Sequence, residues 1–134
     1  MINYSEEEKN IKWKYKDYSF NLPDTIEQLL KIDNIMQFSV NRARMDLIQA
    51  KQIIPVFVKK IEEYRIMILL KKNDNALLLD FTCGVQKTIP LKEEMNVIKA
   101  WCNEKKITQS NGVRLWHGFV KDVVALMKVH FQIK

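Results

Sequence analysis

The basic residues are the side chains best suited to chemistry in this sequence, and many lie near the C-terminus. From residue 113 onward, apolar side chains recur every three or four residues, which predicts a long amphipathic helix. A polar stripe on this helix and the connection before it form the predicted anion-binding surface: Arg114, His117, Lys121, Lys128, Lys105 and Lys106. At 100° per residue, the first four fall within an arc of roughly 60°. The stripe can bind phosphates or carboxylates, and the alternative is a solvated helix face.

A second basic group falls in the segment from residue 11 to residue 22. Its alternation of apolar and polar residues slips by one position, which a two-residue turn at Lys16 and Asp17 explains. The segment therefore predicts a β-hairpin, with a secondary binding surface formed by Lys12, Lys14 and Lys16. Its apolar face carries an aromatic cluster that we expect in the core, with a binding surface as the alternative: Trp13, Tyr15, Tyr18 and Phe20.

Few residues suit catalysis. His117 and His130 are the two histidines, 13 positions apart, and neither has acidic neighbours at metal-ligand spacing. Asp80 interrupts an apolar strand, so we expect it to pair with a nearby base, of which Arg65, Lys71 and Lys72 are the candidates. The acidic pairs Glu62–Glu63 and Glu93–Glu94 are expected at solvated helix ends, because adjacent helical residues diverge by about 100°.

Other familiar signatures are missing from the sequence. Three scattered glycines cannot build a phosphate-binding loop or a dinucleotide fingerprint. Cys83 and Cys102 have no second cysteine or histidine at ligand spacing, so we expect two reduced core thiols and not a disulfide. We therefore assign no catalytic residue, no metal and no cofactor.

The pattern of the remaining segments predicts a single α+β domain over residues 1–134. We expect a small antiparallel sheet, made of the N-terminal β-hairpin and a central meander, packed with about four helices, the last one long and amphipathic. Helices are predicted at 24–33, at 41–63 with a kink at Pro55, from 90 or 91, and from 113; 56–61 is a strand in the competing interpretation. Strands are predicted at 65–72, 76–83 and 85–89.

Composition sets the class of protein. The 134 residues are 47% hydrophobic and 28% charged, as in an ordinary globular domain, and no run of apolar residues is long enough for a membrane span. The acidic, polar N-terminus does not resemble a signal peptide, so we expect a cytoplasmic protein without membrane contact. Residues 99–134 hold seven bases and two acids, which accounts for most of the net charge of +6. Eighteen lysines, 15 isoleucines and ten asparagines suggest a low-GC bacterial or phage gene.

These observations favour action by binding. We expect a non-enzymatic protein that contacts an acidic protein surface, such as a small inhibitor, immunity or regulatory factor of a low-GC bacterium, phage or other mobile element. The alternative is a nucleic-acid-binding regulatory protein that uses the basic face of the C-terminal helix. An enzyme is a third hypothesis, which requires Asp80, His117 or a cysteine to meet distant residues in a pocket.

Overall fold

A computed structural model describes residues 1–38, 40, 42–74 and 76–109, and it shows a mixed α+β fold. Its strands are β1 (Trp13–Tyr15), β2 (Tyr18–Asn21), β3 (Ile53–Lys60), β4 (Glu63–Asn73), β5 (Ala76–Gly84) and β6 (Thr108–Gln109). Its helices are α1 (Glu6–Lys9), α2 (Ile26–Met36), α3 (Arg42–Gln49) and α4 (Lys92–Lys105). The long amphipathic helix predicted from residue 113 lies outside the described residues.

The strands form one sheet in the order β1-β2-β3-β4-β5-β6. Neighbours are antiparallel from β1 to β5, and β6 runs parallel to β5. The hairpin and the central meander are joined because β2 pairs with β3, with Phe20 opposite Val58. The expected α+β class is therefore confirmed. The hairpin and the meander belong to one continuous sheet and are not two separate sheets.

The N-terminal hairpin has the predicted register. Trp13 lies opposite Phe20 and Tyr15 opposite Tyr18, with Lys16 and Asp17 between them as the turn. Lys16 has a left-handed φ of 53°, which a tight turn demands and which residues other than glycine seldom adopt. The strands at 65–72 and 76–83 are also confirmed, each extended by one or two residues at its ends.

The kinked helix predicted over 41–63 is wrong for most of its length. Helix α3 ends at Gln49, and β3 begins at Ile53, so the competing strand at 56–61 was closer. Residues 53–58 are all buried, because both faces of this central strand are covered, and six consecutive apolar residues fit helical spacing as well as strand spacing. Pro55 is tolerated because β2 ends opposite Phe57 and leaves Pro55 paired with β4 alone.

Two shorter predictions also need correction. The segment at 85–89 is not a strand but a 3₁₀ turn over Val85–Lys87, in which Gln86 and Lys87 have left-handed φ values of 57° and 62°. Gly84 begins this turn, where an added Cβ would lie 2.5 Å from Thr88 Oγ1. Helix α2 begins after Thr25, whose hydroxyl accepts from Gln28 N–H, rather than after Asp24.

Helices cover both faces of the sheet and create two buried clusters. On the α4 face, strand side chains meet Val97, Ile98, Trp101 and Cys102 of α4. On the opposite α2 face, they meet Leu29 and Ile32 of α2 and Ile48 of α3. A β-bulge in β5 lets the strand serve both clusters, because Leu79 and Phe81 would otherwise share one face and here lie on opposite faces.

The turn between β3 and β4 is strained. Ile61 begins it with a φ of 59°, although it is β-branched and 69% exposed, and its N–H donates to Asp17 O at 2.7 Å. Ile61→Gly is expected to raise the free energy of unfolding by about 1 kcal/mol, because glycine adopts this backbone without steric cost. Urea denaturation measures the change. Glu62→Gly is the matched control, since its φ is not left-handed; equal effects from both substitutions would contradict the strain.

Candidate functional site

The candidate catalytic groups do not converge in the part of the chain that the structure describes. Asp80 is half-buried at the β5 bulge, and none of its candidate partners, Arg65, Lys71 and Lys72, forms an ion pair with it. The expected pairing of Asp80 with one of these three bases is therefore wrong, because Asp80 is only partly buried and its carboxylate keeps access to water. His117 and His130 lie outside the described residues.

The two thiols are buried on opposite faces of the sheet. Cys83 belongs to the α2 cluster and Cys102 to the α4 cluster, so the sheet separates them and they cannot form a disulfide with each other. Burial raises the pKa of each thiol to about 12. Both therefore stay protonated near neutral pH, and neither is suited to act as a nucleophile.

Lys105 and Lys106 lie beside a groove of about 360 Å³ between α1, the β4–β5 turn and the end of α4. Carboxylates share this groove, since Glu8 pairs with Lys72 at 2.8 Å and Asp74 adds a further acid. Burial raises the pKa of Glu8, but the hydrogen bonds and charge of Lys72 and the bonds from Ser5 outweigh it, and the net pKa is lowered. The groove has mixed charge.

The predicted partners of Lys105 and Lys106 lie elsewhere in the chain. Arg114, His117, Lys121 and Lys128 are outside the described residues. Their convergence with Lys105 and Lys106 remains a prediction. Within residues 1–38, 40, 42–74 and 76–109, no three His, Cys, Asp or Glu side chains are grouped to hold a metal ion, and no helix is long and apolar enough to cross a bilayer.

The hairpin lysines are joined by two further lysines from β3. Lys14 lies opposite Ser19, and Ser19 lies opposite Lys59, so one row of cross-strand neighbours places two lysines on the α2 face of the sheet. Lys12 lies on the same face, two residues before Lys14. Lys60 lies opposite Tyr18 on the α4 face, and Lys16 lies at the turn. We call these five residues the hairpin lysine surface: Lys12, Lys14, Lys16, Lys59 and Lys60.

Aromatic rings, rather than carboxylates, accompany several of these ammonium groups. Lys16 Nζ lies 5.2 Å from the ring centre of Tyr15, Lys59 Nζ 4.6 Å from that of Tyr64, and Lys60 Nζ 5.6 Å from that of Tyr18. In the described part of the chain, no member of the hairpin lysine surface forms an ion pair. Carboxylates do lie nearby, since Glu63 is opposite Lys60 in the β3–β4 ladder and Asp24 shares a pocket with Lys12 and Lys59, but among the described residues none is within ion-pair distance of these ammonium groups.

The aromatic cluster of the hairpin divides between core and surface. Tyr18 and Phe20 are buried, as expected, and Phe20 stacks on Trp101 of α4 with ring centres 4.5 Å apart. Trp13 and Tyr15 are only half-buried, and they stack on each other at 5.0 Å with nearly parallel rings. Their outer parts lie on the α4 face with Lys60 and the turn residue Lys16, so this side of the hairpin offers both charge and apolar area.

A shallow pocket of about 240 Å³ adjoins the lysines where the α2 face meets the start of α2. Lys12 and Lys59 line it together with Asn21 and Tyr64, and Asp24 adds one carboxylate. Asn21 Nδ2 is already used locally, because it donates to Ser19 O and Ser19 Oγ. The pocket is an open depression of the surface rather than an enclosed cavity.

The hairpin pattern in the sequence indicated Lys12, Lys14 and Lys16, but no local pattern indicated Lys59 and Lys60. An indirect signal was present, because the pattern at 56–61 also fitted a strand, and a strand there could pair with the hairpin. No family model, curated protein or solved structure matches this chain. The hairpin lysine surface is the strongest candidate site that the described residues offer.

Proposed function

We propose that this protein is a non-catalytic binding protein that contacts an acidic surface of a partner protein through the hairpin lysine surface. The observation that carries the proposal is the group of three lysines on the α2 face, Lys12, Lys14 and Lys59, beside Lys16 at the turn and Lys60 on the opposite face, none of which has an ion-pair partner among the described residues. A small regulator, inhibitor or immunity factor would act in this way. We place this activity in the cytoplasm, where unpaired cysteines such as Cys83 and Cys102 are kept reduced.

Several features of the surface favour a protein over a nucleic acid. Asp17, Glu62 and Glu63 lie at the same end of the sheet as Lys16 and Lys60, so these carboxylates interrupt the positive charge that a uniformly anionic phosphate backbone requires, whereas a protein surface can place basic groups opposite them. Partly exposed aromatic rings next to charge are typical of protein interfaces. The nucleic-acid alternative rests on the C-terminal stripe of basic residues, and the experiment below distinguishes the two.

The test compares two triple variants of equal charge. Lys12→Gln, Lys14→Gln and Lys59→Gln remove three cations of the surface, whereas Lys31→Gln, Lys92→Gln and Lys99→Gln remove three exposed cations of α2 and α4. The probes are poly-L-glutamate and a duplex DNA of similar length, each titrated over a salt series. We expect the hairpin triple variant to bind poly-L-glutamate about tenfold more weakly than the control, since local charge complementarity governs such contacts.

The outcomes separate the hypotheses. Equal loss in both triple variants would mean that binding follows net charge alone, and it would contradict the hairpin lysine surface. Tighter binding of DNA than of poly-L-glutamate, unaffected by the hairpin substitutions, would instead support the nucleic-acid alternative. Urea denaturation of all variants checks that each still folds.

A further inference from the structure

Strand β1 lies at an edge of the sheet and pairs with β2 alone among the described strands. Tyr15 and Tyr18 flank a two-residue turn, so they form a hydrogen-bonded pair. Hydrogen-bonded and non-hydrogen-bonded pairs alternate along an antiparallel ladder, which makes Lys14 and Ser19 a non-hydrogen-bonded pair. The N–H and C=O of Lys14 consequently face away from β2, toward the open edge.

The side chains of this edge alternate in chemistry. Lys12 and Lys14 are exposed on the α2 face, and Trp13 and Tyr15 are half-buried on the α4 face. A strand docked on β1 would place alternate residues beside lysines and beside aromatic rings. The complementary sequence therefore alternates acidic with apolar residues.

The charge pattern also selects against a second copy of this chain. Antiparallel pairing of two β1 strands centred on Lys14 would set Lys14 opposite Lys14 and Lys12 opposite Lys16. Like charges directly opposite each other destabilise a strand pair. The same lysines that destabilise pairing of two β1 strands thus favour the binding of an acidic strand at this edge.

We propose that β1 receives an extended acidic segment of the partner protein as an additional antiparallel strand. This inference rests on the proposed function, and it specifies how the partner is recognised. An acidic residue opposite Lys14 would exchange both main-chain hydrogen bonds with it and would bring its carboxylate to the lysine ammonium group. Neighbouring apolar residues of the segment would cover the outer parts of Trp13 and Tyr15.

The test uses synthetic peptides of about nine residues that alternate aspartate with valine, because strand addition depends on main-chain donors. In one peptide the aspartate nitrogens are methylated, and in the matched control the valine nitrogens are methylated. The proposed register turns the aspartate N–H groups toward β1 and the valine N–H groups toward solvent. We expect methylation of the aspartates to weaken binding about tenfold or more and methylation of the valines to leave it almost unchanged.

Hydrogen exchange supplies a second readout on the full-length protein. The Lys14 amide should exchange at least about tenfold more slowly with the unmethylated peptide bound, whereas the Tyr15 amide, already bonded to β2, should change little. Equal binding of the two methylated peptides, or an unprotected Lys14 amide, would overturn strand addition.

Failure of strand addition can be told apart from failure of the proposed function. If both methylated peptides bind equally and the Lys12, Lys14 and Lys59 substitutions still weaken them, contact through charge stands and strand addition is wrong. If the unmethylated peptide and poly-L-glutamate both fail to bind, both proposals are wrong.

Discussion

Replacing Trp101 by alanine is expected to lower the free energy of unfolding by about 4 kcal/mol. Trp101 is fully buried in α4, and its ring stacks on Phe20 of β2 at 4.5 Å. Its indole N–H donates to the main-chain oxygen of Ile11 at 2.7 Å, which ties the helix to the segment two residues before β1, next to Lys12. The substitution removes a large apolar group and leaves a buried carbonyl without its donor, so the two costs add.

Circular dichroism during urea denaturation measures this loss without depending on tryptophan emission. Trp101→Phe separates the two contributions, because phenylalanine keeps most of the ring and loses the N–H donor; we expect a cost of about 1 to 2 kcal/mol. Lys99→Ala, at an exposed position of the same helix, should change stability by less than about 0.5 kcal/mol. A Trp101→Phe variant as stable as the original chain would show that the bond to Ile11 contributes nothing.

The same contact bears on the proposed binding surface. Trp101 contacts Ile11, which precedes β1, and Phe20, which lies in β2. Loss of these contacts should therefore let the hairpin unfold locally before β3 and β4 separate. In the Trp101→Phe variant, the amide exchange rates of the hairpin should therefore increase more than those of β3 and β4, relative to the original chain. Uniform faster exchange across β3, β4 and the hairpin would contradict this order.

The hairpin was predictable because its pattern allows few registers. Pairing Trp13 with Phe20 and Tyr15 with Tyr18 is the arrangement that places all the large apolar residues on one face, and a one-residue slip would reverse every side chain. Strand β3 was harder. When both faces of a strand are buried, its sequence loses the alternation that identifies a strand, and helical spacing fits equally well.

The candidate site was predictable in part for the same reason. Lys12, Lys14 and Lys16 follow from the hairpin, whereas Lys59 and Lys60 join them only through the long-range pairing of β2 with β3. Local spacing carries no information on such pairing. Contacts between α4 and β4 were equally unpredictable from local spacing, and the contact of Glu94 with Arg65 is the clearest example.

Glu94 was expected to be solvated, but it is buried, with 3% of its side chain exposed. One carboxylate oxygen accepts from Arg65 Nε at 2.9 Å, and the other accepts from the Leu91 N–H at 2.8 Å, which caps the start of α4. Arg65 occupies the irregular position of β4, where the register with β3 shifts between Val58 and Lys59. The bulge gives Arg65 the freedom to leave the ladder and reach across to the helix.

Arg65→Met is expected to lower the free energy of unfolding by about 3 kcal/mol, since it leaves a buried carboxylate without its cation. This value is at the low end for breaking a buried pair because 36% of the Arg65 side chain is exposed, and water screens the charge. Glu94→Gln should cost less, because the amide oxygen can still accept from Leu91 N–H.

A double-mutant cycle tests whether the two residues act together. If the cost of Arg65→Met comes from an uncompensated carboxylate, removing that charge with Glu94→Gln should restore part of the lost stability, and the double variant should be more stable than Arg65→Met alone. Additive losses would show that Arg65 stabilises the fold through its aliphatic stem instead. Recovery in the double variant would show that the Arg65–Glu94 pair attaches α4 to the sheet. The pair would then also position Trp101, which lies on α4 and packs against the hairpin.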